Sequence, residues 1–301
     1  MSYDLPRIAV IIPTYNRASL VTRAIESVLA QTYTNYELVV VDDGSEDNTL
    51  EIVKQYTGCR YVRLEHSGLP SVARNAGVRS TDAPYVAFLD SDDEWLPDKL
   101  AVQTEILESD PDVGLVCSNA FLTEGDDPEK RELYLKSGQG KSGRILKELI
   151  RDNFIITSTV LMRRDTFERS GGFCEDPELQ AVEDYDLWLR LDPRSSIRYV
   201  PDPLAVYRKG PTSLSKSRNG AEHWRVLAYI FERCRRNVKV DDAEGLLRAL
   251  DESLATTWRA QCDAHVRTHK YVEFSKTFSS FFWRQPVPAL KFLLTKLLSG
   301  L

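Results

Sequence analysis

Three carboxylates sit within the four residues Asp90-Ser91-Asp92-Asp93, directly after the apolar run Tyr85-Val86-Ala87-Phe88-Leu89. Carboxylates crowded at that spacing repel each other and lose hydration unless a cation lies between them, and hard divalent ions such as Mg²⁺ and Mn²⁺ prefer oxygen ligands. The run therefore reads as a metal site for a phosphate-bearing ligand. Taken alone, the same acids also suit a solvated turn before a helix opened by Pro97. A calcium-binding loop is excluded, because neither Asp90 nor Asp42 has Gly at the sixth loop position.

Such acids need elements to hold them. Residues 8–12, 38–41 and 86–89 are short runs of β-branched and aliphatic side chains, apolar on both faces, which suits a parallel sheet covered on both sides by helices. Between the first two, residues 18–31 carry Leu20, Ala24, Ile25, Val28 and Leu29 at helical spacing, and residues 50–56 and 71–78 read as shorter helices. The βα alternation implies an open doubly wound sheet with its ligand crevice outside the carboxyl ends of the strands. The polar residues gather there: Pro13-Thr14-Tyr15-Asn16-Arg17 after the first strand and Asp42-Asp43-Gly44-Ser45 after the second. A Tyr in that place can stack on a base, and a carboxylate can accept a hydrogen bond from a ring N–H of uracil or guanine. Each segment alone also reads as a loop with helix caps at Asn16, Asp47 or Asn48.

The chain of 301 residues is 42% hydrophobic and 28% charged, with a formal net charge of −6. That supports one large core, or a core with an appendage, and supplies no basic field for nucleic acid. Met1 to Arg7 show no charged-then-apolar signal pattern, and five scattered cysteines fit reduced thiols, so the expected location is cytoplasmic.

Six segments in order resemble the family 2 glycosyltransferases of GT-A fold: Val10-Ile11-Ile12-Pro13-Thr14-Tyr15-Asn16-Arg17, Glu37-Leu38-Val39-Val40-Val41-Asp42-Asp43-Gly44-Ser45, Ala73-Arg74-Asn75-Ala76-Gly77, Phe88-Leu89-Asp90-Ser91-Asp92-Asp93, Gly171-Gly172-Phe173 and Glu183-Asp184-Tyr185-Asp186-Leu187-Trp188. The resemblance implies a GT-A catalytic domain, Rossmann-like and mostly parallel, over residues 1–220, with a helical region over 221–301. It implies that Pro13, Thr14, Tyr15, Arg17, Asp43 and Arg74 frame the nucleotide and that Asp90 and Asp92 meet the nucleotide sugar. Asp92 and Asp93 would hold Mn²⁺ or Mg²⁺, Asp93 as the direct ligand. Asp184 resembles the general base of an inverting displacement, ahead of Glu183 and Asp186. Many relatives follow a Tyr-Arg pair with x-His, whereas Tyr207-Arg208-Lys209-Gly210 has no His. Lys209, or Ser213 and Ser215 in a closing loop, is the alternative contact for the diphosphate. The implied reaction transfers a sugar from a nucleotide-diphosphate sugar, a UDP-sugar, to a hydroxyl of a glycan or lipid-linked acceptor in cell-surface polysaccharide or glycoconjugate synthesis.

Other readings fit less well. A haloacid-dehalogenase-type phosphatase carries its Asp-x-Asp on the first strand, with Thr or Val where Glu94 stands here. A nucleotidyltransferase needs a Gly-rich basic loop after the first strand, and residues 13–17 contain no Gly. A non-catalytic nucleotide-sugar-binding scaffold finds its only foothold at Gly210. Residues 119–142 read as a loop excursion, and the resemblance implies that residues 153–160, with Thr157 and Ser158, shape the acceptor pocket. Cys262, His265 and His269 read as a wet helix face rather than a metal site. In the tail, Phe278, Phe281, Phe282 and Trp283 precede a stripe of Leu290, Leu293, Leu294, Leu297, Leu298 and Leu301 flanked by Lys291 and Lys296. The stripe is too interrupted to span a bilayer. It reads as a surface packed on the catalytic domain or on a second copy in a homodimer, or as one docked on the inner face of the membrane.

Overall fold

The computed structural model describes residues 6–124, 131–210, 220–237, 243–268 and 270–298. Strands β1 (Ile8–Thr14), β2 (Tyr36–Asp42) and β4 (Tyr85–Phe88) grow from the three apolar runs, and β1 and β4 are buried along their whole length. Helices α1 (Ala18–Leu29), α2 (Thr49–Val53) and α3 (Pro70–Arg79) connect them, with β3 (Cys59–Arg63) lying between the last two. The strands run parallel in the order β3-β2-β1-β4. The chain winds one way from β1 to β2 and returns to the other side of β1 as β4, which makes β1/β4 the switch point where ligands bind in open α/β sheets. β3 has no counterpart in the sequence reading; it is a half-exposed edge with Arg60 and Arg63 on it, so its apolar signal is weak.

Beyond β4 the sheet becomes mixed. It continues through β8 (Leu161–Arg163), β6 (Val113–Thr123), β9 (Ser196–Arg208) and β5 (Glu94–Trp95), with β7 (Glu132–Leu133) hung on β6. β8 is antiparallel to both β4 and β6, β9 is parallel to β6, and β5 is antiparallel to β9. Here the expected loop excursion from residue 119 is corrected: β6 runs on through Thr123 and then meets β7. The β6–β9 register shifts at Ser118/Asn119 and Asn119/Ala120, opposite the stretch of β9 that holds Pro201 and Pro203. Proline cannot donate to a ladder, so a bulge absorbs it. On the other edge of β6, Asn119 ties the strand to the segment after β7, its amide donating to Leu135 O at 2.9 Å while its carbonyl accepts the N–H groups of Ala120 and Leu135. Helices α4 (Lys99–Ser109), α6 (Arg164–Arg169) and α7 (Glu183–Leu189) complete this unit.

The chain divides into two compact units, Met1–Ile145 with Asn153–Pro211, and Leu146–Asp152 with Thr212–Leu301. The second takes in more than the expected 221–301, because α5 (Leu146–Arg151) packs on α9 (Ala243–Arg267), with Ser253 Oγ donating to Ile150 O at 3.0 Å. It also holds α8 (Gly220–Asn237), α10 (Tyr271–Arg284) and α11 (Pro286–Leu298), around Val226, Ile230, Leu250, Leu254, Trp258 and Phe281. Cys262 and His265 are buried in that core rather than wet, and His269 lies outside the described residues. No described helix is long and apolar enough to cross a membrane.

Candidate active site

The Asp90-Ser91-Asp92-Asp93 turn leaves β4 at the switch point, and its three acids have different surroundings. Asp90 accepts from Arg74 at 2.6 Å and keeps 31% of its side chain exposed. Asp92 pairs with Arg17 at 2.9 Å and is 18% exposed. Asp93 is enclosed: Ser158 Oγ donates to one oxygen at 2.5 Å and the Arg208 N–H to the other at 2.9 Å. Burial pushes the Asp92 carboxyl up, with the Arg17 charge opposing and Asp90 adding to the rise. Burial raises Asp93 further, and its two acidic neighbours add to it.

Arg74 joins this turn to the second acidic group. Pro70 opens α3, and Gly77 lets the helix press onto β1, where a Cβ would fall 2.5 Å from Ile11 Cγ2. Arg74 lies one turn before Gly77 on this helix. It is buried, 5.2 Å over the Phe173 ring, bonded to Asp90 on one side and to Glu183 at 2.7 Å on the other. The next residue, Asn75, clamps Phe173 by bonding both its C=O (2.8 Å) and its N–H (3.1 Å). Gly171 and Gly172 take φ of 80° and 65° to make the turn this clamp needs.

Glu183 and Asp184 open α7. Two of the carboxylate's contacts orient Asp184: the Thr157 hydroxyl donates to Oδ2 at 2.8 Å and the Tyr185 N–H to Oδ1 at 2.7 Å. Burial and the neighbouring Glu183 charge push its carboxyl up to about 6, against the opposing pull of Thr157 and Arg74. A carboxylate near neutrality is matched to general-base work. Gln180 ties the segment before α7 to the loop after β3, donating to Gly68 O at 2.7 Å.

At the end of β1, Pro13 and Thr14 are buried in the strand and Tyr15 emerges, 38% exposed, stacked on His66 with ring centroids 3.9 Å apart. Asp43 holds the loop that carries His66, accepting from the Ser67 N–H and hydroxyl and from the Gly68 N–H at 2.8–2.9 Å. Asp42 is enclosed by Ser45 and Tyr61. Asn16 does not cap α1; its side chain accepts the Glu46 N–H, while Asp47 takes the Ala18 N–H. Arg17 reaches across to Asp92. The sequence reading missed His66, whose signal is the polar His-Ser-Gly turn with Gly68 at φ 74°. It placed Thr157 and Ser158 at the acceptor pocket and did not link them to Asp184 or Asp93. Among the described residues no group of three or more His, Cys, Asp or Glu side chains converges on a metal position. The partly exposed Asp90 and Asp92 fit the alternative, a hard cation held by one or two carboxylates and completed by substrate phosphates. Arg208 turns its side chain to Glu94 at 2.6–2.8 Å, and Ser213 and Ser215 lie outside the described residues.

A family model described as glycosyl transferase family 2 matches residues 9–171. An uncharacterized glycosyltransferase of Rickettsia felis is 32% identical over 205 residues, covering 67% of this chain and 33% of the relative. The chain spans about a third of the length of the first Rickettsia relatives it matches. The Bacillus subtilis protein described as putative teichuronic acid biosynthesis glycosyltransferase TuaG is 28% identical over 218 residues, 71% of this chain and 83% of TuaG. Among solved structures, residues 1–349 of S. aureus TarS in complex with UDP-GlcNAc align with a TM-score of 0.70 at 19% identity, covering 92% of this chain and 80% of that one. The mannosyltransferase PcManGT of Pyrobaculum calidifontis, in complex with GDP-Man and Mn²⁺, aligns with a TM-score of 0.63 at 21% identity, covering 99% and 81%. Both share the fold, a GT-A sheet followed by helices.

Proposed function

The chain belongs to glycosyl transferase family 2, and we propose that it is an inverting glycosyltransferase that moves a sugar from a nucleotide-diphosphate sugar, a UDP-sugar, to a hydroxyl of a growing cell-surface glycan or lipid-linked acceptor. The observation that carries this reading is the Arg74 bridge, which couples Asp90 at the switch point to Glu183 beside Asp184. One acidic group is suited to the donor diphosphate and the other to proton removal.

Asp184 accepts the proton of the acceptor hydroxyl as that oxygen attacks the anomeric carbon. The carbon's bond to the phosphate oxygen breaks on the opposite face, and the nucleoside diphosphate leaves with the electron pair. Proton transfer of this kind contributes about 10²- to 10⁴-fold. The Tyr15–His66 stack is the platform for the base, and Arg17 orients Asp92. Asp92, with Asp90 beside it, would hold Mn²⁺ or Mg²⁺. When bound, the ion neutralises charge growing on the departing diphosphate. Asp93 is enclosed and each of its oxygens already accepts a hydrogen bond, which suits a structural anchor better than the direct ligand expected from sequence.

The class of acceptor is inferred from the surface of α10 and α11. Residues 270–298 hold five basic side chains, Lys270, Lys276, Arg284, Lys291 and Lys296, against Glu273 alone, in a chain of net −6. Trp283 is 83% exposed, with Val287 and Leu290 also out in solvent. That combination of basic charge and exposed Trp suits the surface of an anionic bilayer, where lipid-linked acceptors reside.

Calorimetric titration with UDP and GDP, each with Mn²⁺ and with chelator, tests the donor reading. We expect UDP to bind more tightly with Mn²⁺ and Asp92→Asn to abolish the difference. Equal affinity with and without Mn²⁺ overturns the metal assignment, and selective GDP binding overturns the UDP assignment.

A further inference from the structure

The turn Thr157–Thr159 touches both acidic groups, and all three of its side chains are buried. Thr157 Oγ1 donates to Asp184 Oδ2 at 2.8 Å. Ser158 Oγ donates to Asp93 Oδ2 at 2.5 Å and accepts the Asp90 N–H at 3.1 Å. The backbone of the turn is held from behind by side chains. Trp95 Nε1 donates to Ser158 O at 2.6 Å, Gln103 Nε2 to Thr159 O at 2.7 Å and Lys99 Nζ to Val160 O at 3.3 Å. Those three props are themselves joined, with Lys99 Nζ donating to Gln103 Oε1 at 2.7 Å and lying 4.1 Å from the Trp95 ring centre. Lys99 is fully buried. Burial holds its amine well below the usual lysine range, and a buried polar group is costly to retain, so its presence under this turn calls for a reason.

The chemistry supplies one. The terminal torsion of an aspartate is broad and roughly two-fold, so the carboxylate of Asp184 turns easily unless both oxygens are held. Tyr185 N–H holds one oxygen and Thr157 the other. A base must present its lone pair within hydrogen-bond reach of the hydroxyl it deprotonates, and that hydroxyl must lie in line with a donor seated on Asp90 and Asp92. We propose that Thr157 is a positioning residue for Asp184, and that the propped turn sets the base against the donor acids through Ser158. This rests on the reading of Asp184 as the general base.

The charges facing Asp184 are Glu183 beside it and Arg74 beneath it. Glu183 raises its proton affinity; Arg74 and the Thr157 hydroxyl lower it. Removing the hydroxyl therefore raises the carboxyl's titration midpoint. Hydrogen bonds to charged groups contribute about 1.5–3 kcal/mol, or roughly a ten- to hundredfold change.

The test compares Thr157→Val with Thr157→Ser in the full chain. Carbon-13 NMR titration of the aspartate carboxyls needs no substrate, and the resonance lost in Asp184→Asn identifies the base. The midpoint is expected to rise in Thr157→Val by about one pH unit or more and to return in Thr157→Ser. Hydrolysis of UDP-GlcNAc with Mn²⁺, in which water takes the place of the acceptor hydroxyl and receives the sugar as UDP leaves, is expected to show kcat at pH 7 lower by roughly ten- to a hundredfold in the Val variant. The acid limb of its pH profile should move to higher pH, while calorimetric affinity for UDP stays within about twofold of the parent. An unmoved midpoint in Thr157→Val overturns the proposal, as does a loss of UDP affinity parallel to the loss of kcat, which marks general disruption. The reading it rests on fails separately: Asp184→Asn with the parent's turnover removes the base, whereas an inactive Asp184→Asn beside an unmoved Thr157→Val removes only the positioning role.

Discussion

Replacing Asp184 with Asn is expected to stabilise the fold while abolishing turnover, and the pH dependence of the gain can be worked from the site. The carboxyl rises from an ordinary 3.8 to about 6 in the folded protein. The unfolded chain therefore gives up this proton at lower pH than the folded one. The stability contributed by the raised carboxyl is present in full below pH 3.8 and is lost as pH rises through 6. At about 1.36 kcal/mol per tenfold change in proton affinity, the loss is about 1.6 kcal/mol at pH 5 and about 3 kcal/mol at pH 7.5. Asparagine does not titrate, and its carbonyl can still accept one of the two hydrogen bonds. Its stability relative to the parent should therefore grow by at most about 1.4 kcal/mol between those pH values, whatever the constant effect of the substitution. For a unit of about 200 residues this is roughly 3–6 °C in Tm. Thermal unfolding of both proteins at pH 5 and pH 7.5 measures it, and kcat should fall by about 10²- to 10⁴-fold. A Tm difference that is the same at both pH values refutes the reasoning, because Asp184 would then carry no raised proton affinity.

Arg74→Ala leaves Glu183 buried without its cation and should cost about 3–5 kcal/mol in urea unfolding, on the scale of a broken buried pair; a loss below about 1 kcal/mol would show that the bridge is not structural. Gly77→Ala drives a methyl against Ile11 and should cost about 1–3 kcal/mol, read as a lower urea midpoint with an unchanged slope. Trp283→Ser with Val287→Ser should weaken co-sedimentation with phosphatidylserine vesicles while leaving UDP affinity unchanged; equal sedimentation of both proteins would remove the bilayer from the proposed function.

The parallel half of the sheet was legible because β1, β2 and β4 are apolar on both faces and end in polar residues at the same edge. The mixed half was not. β3 is a charged edge, and β9 carries two prolines whose cost is absorbed by a bulge, a compensation visible only once β6 and β9 are paired. At the site, residue types marked where the acids gather but not what encloses them. Asp93 and Arg74 read like ligand contacts because both carry charge beside motif residues. Their burial depends on Ser158, Arg208 and Glu183, which lie 65, 115 and 109 residues away. Thr157 belongs to the same class, since a hydroxyl in a buried turn carries no periodic signal.

The bond from the Arg208 N–H to Asp93 also has a meaning for biogenesis. Those residues are 115 apart, so at about 5–20 residues per second the ribosome delivers the closing strand roughly 6–23 s after the acidic turn has been made. Until then one side of β6 lacks β9, and an unpaired strand edge invites association with other chains. The nascent protein thus passes through a vulnerable interval in which its early half has been made but the surroundings of its acidic turn are unfinished. Residues 9–171, the span that the family model matches, end before either α7 or β9, so that span alone lacks the Arg208 N–H that encloses Asp93.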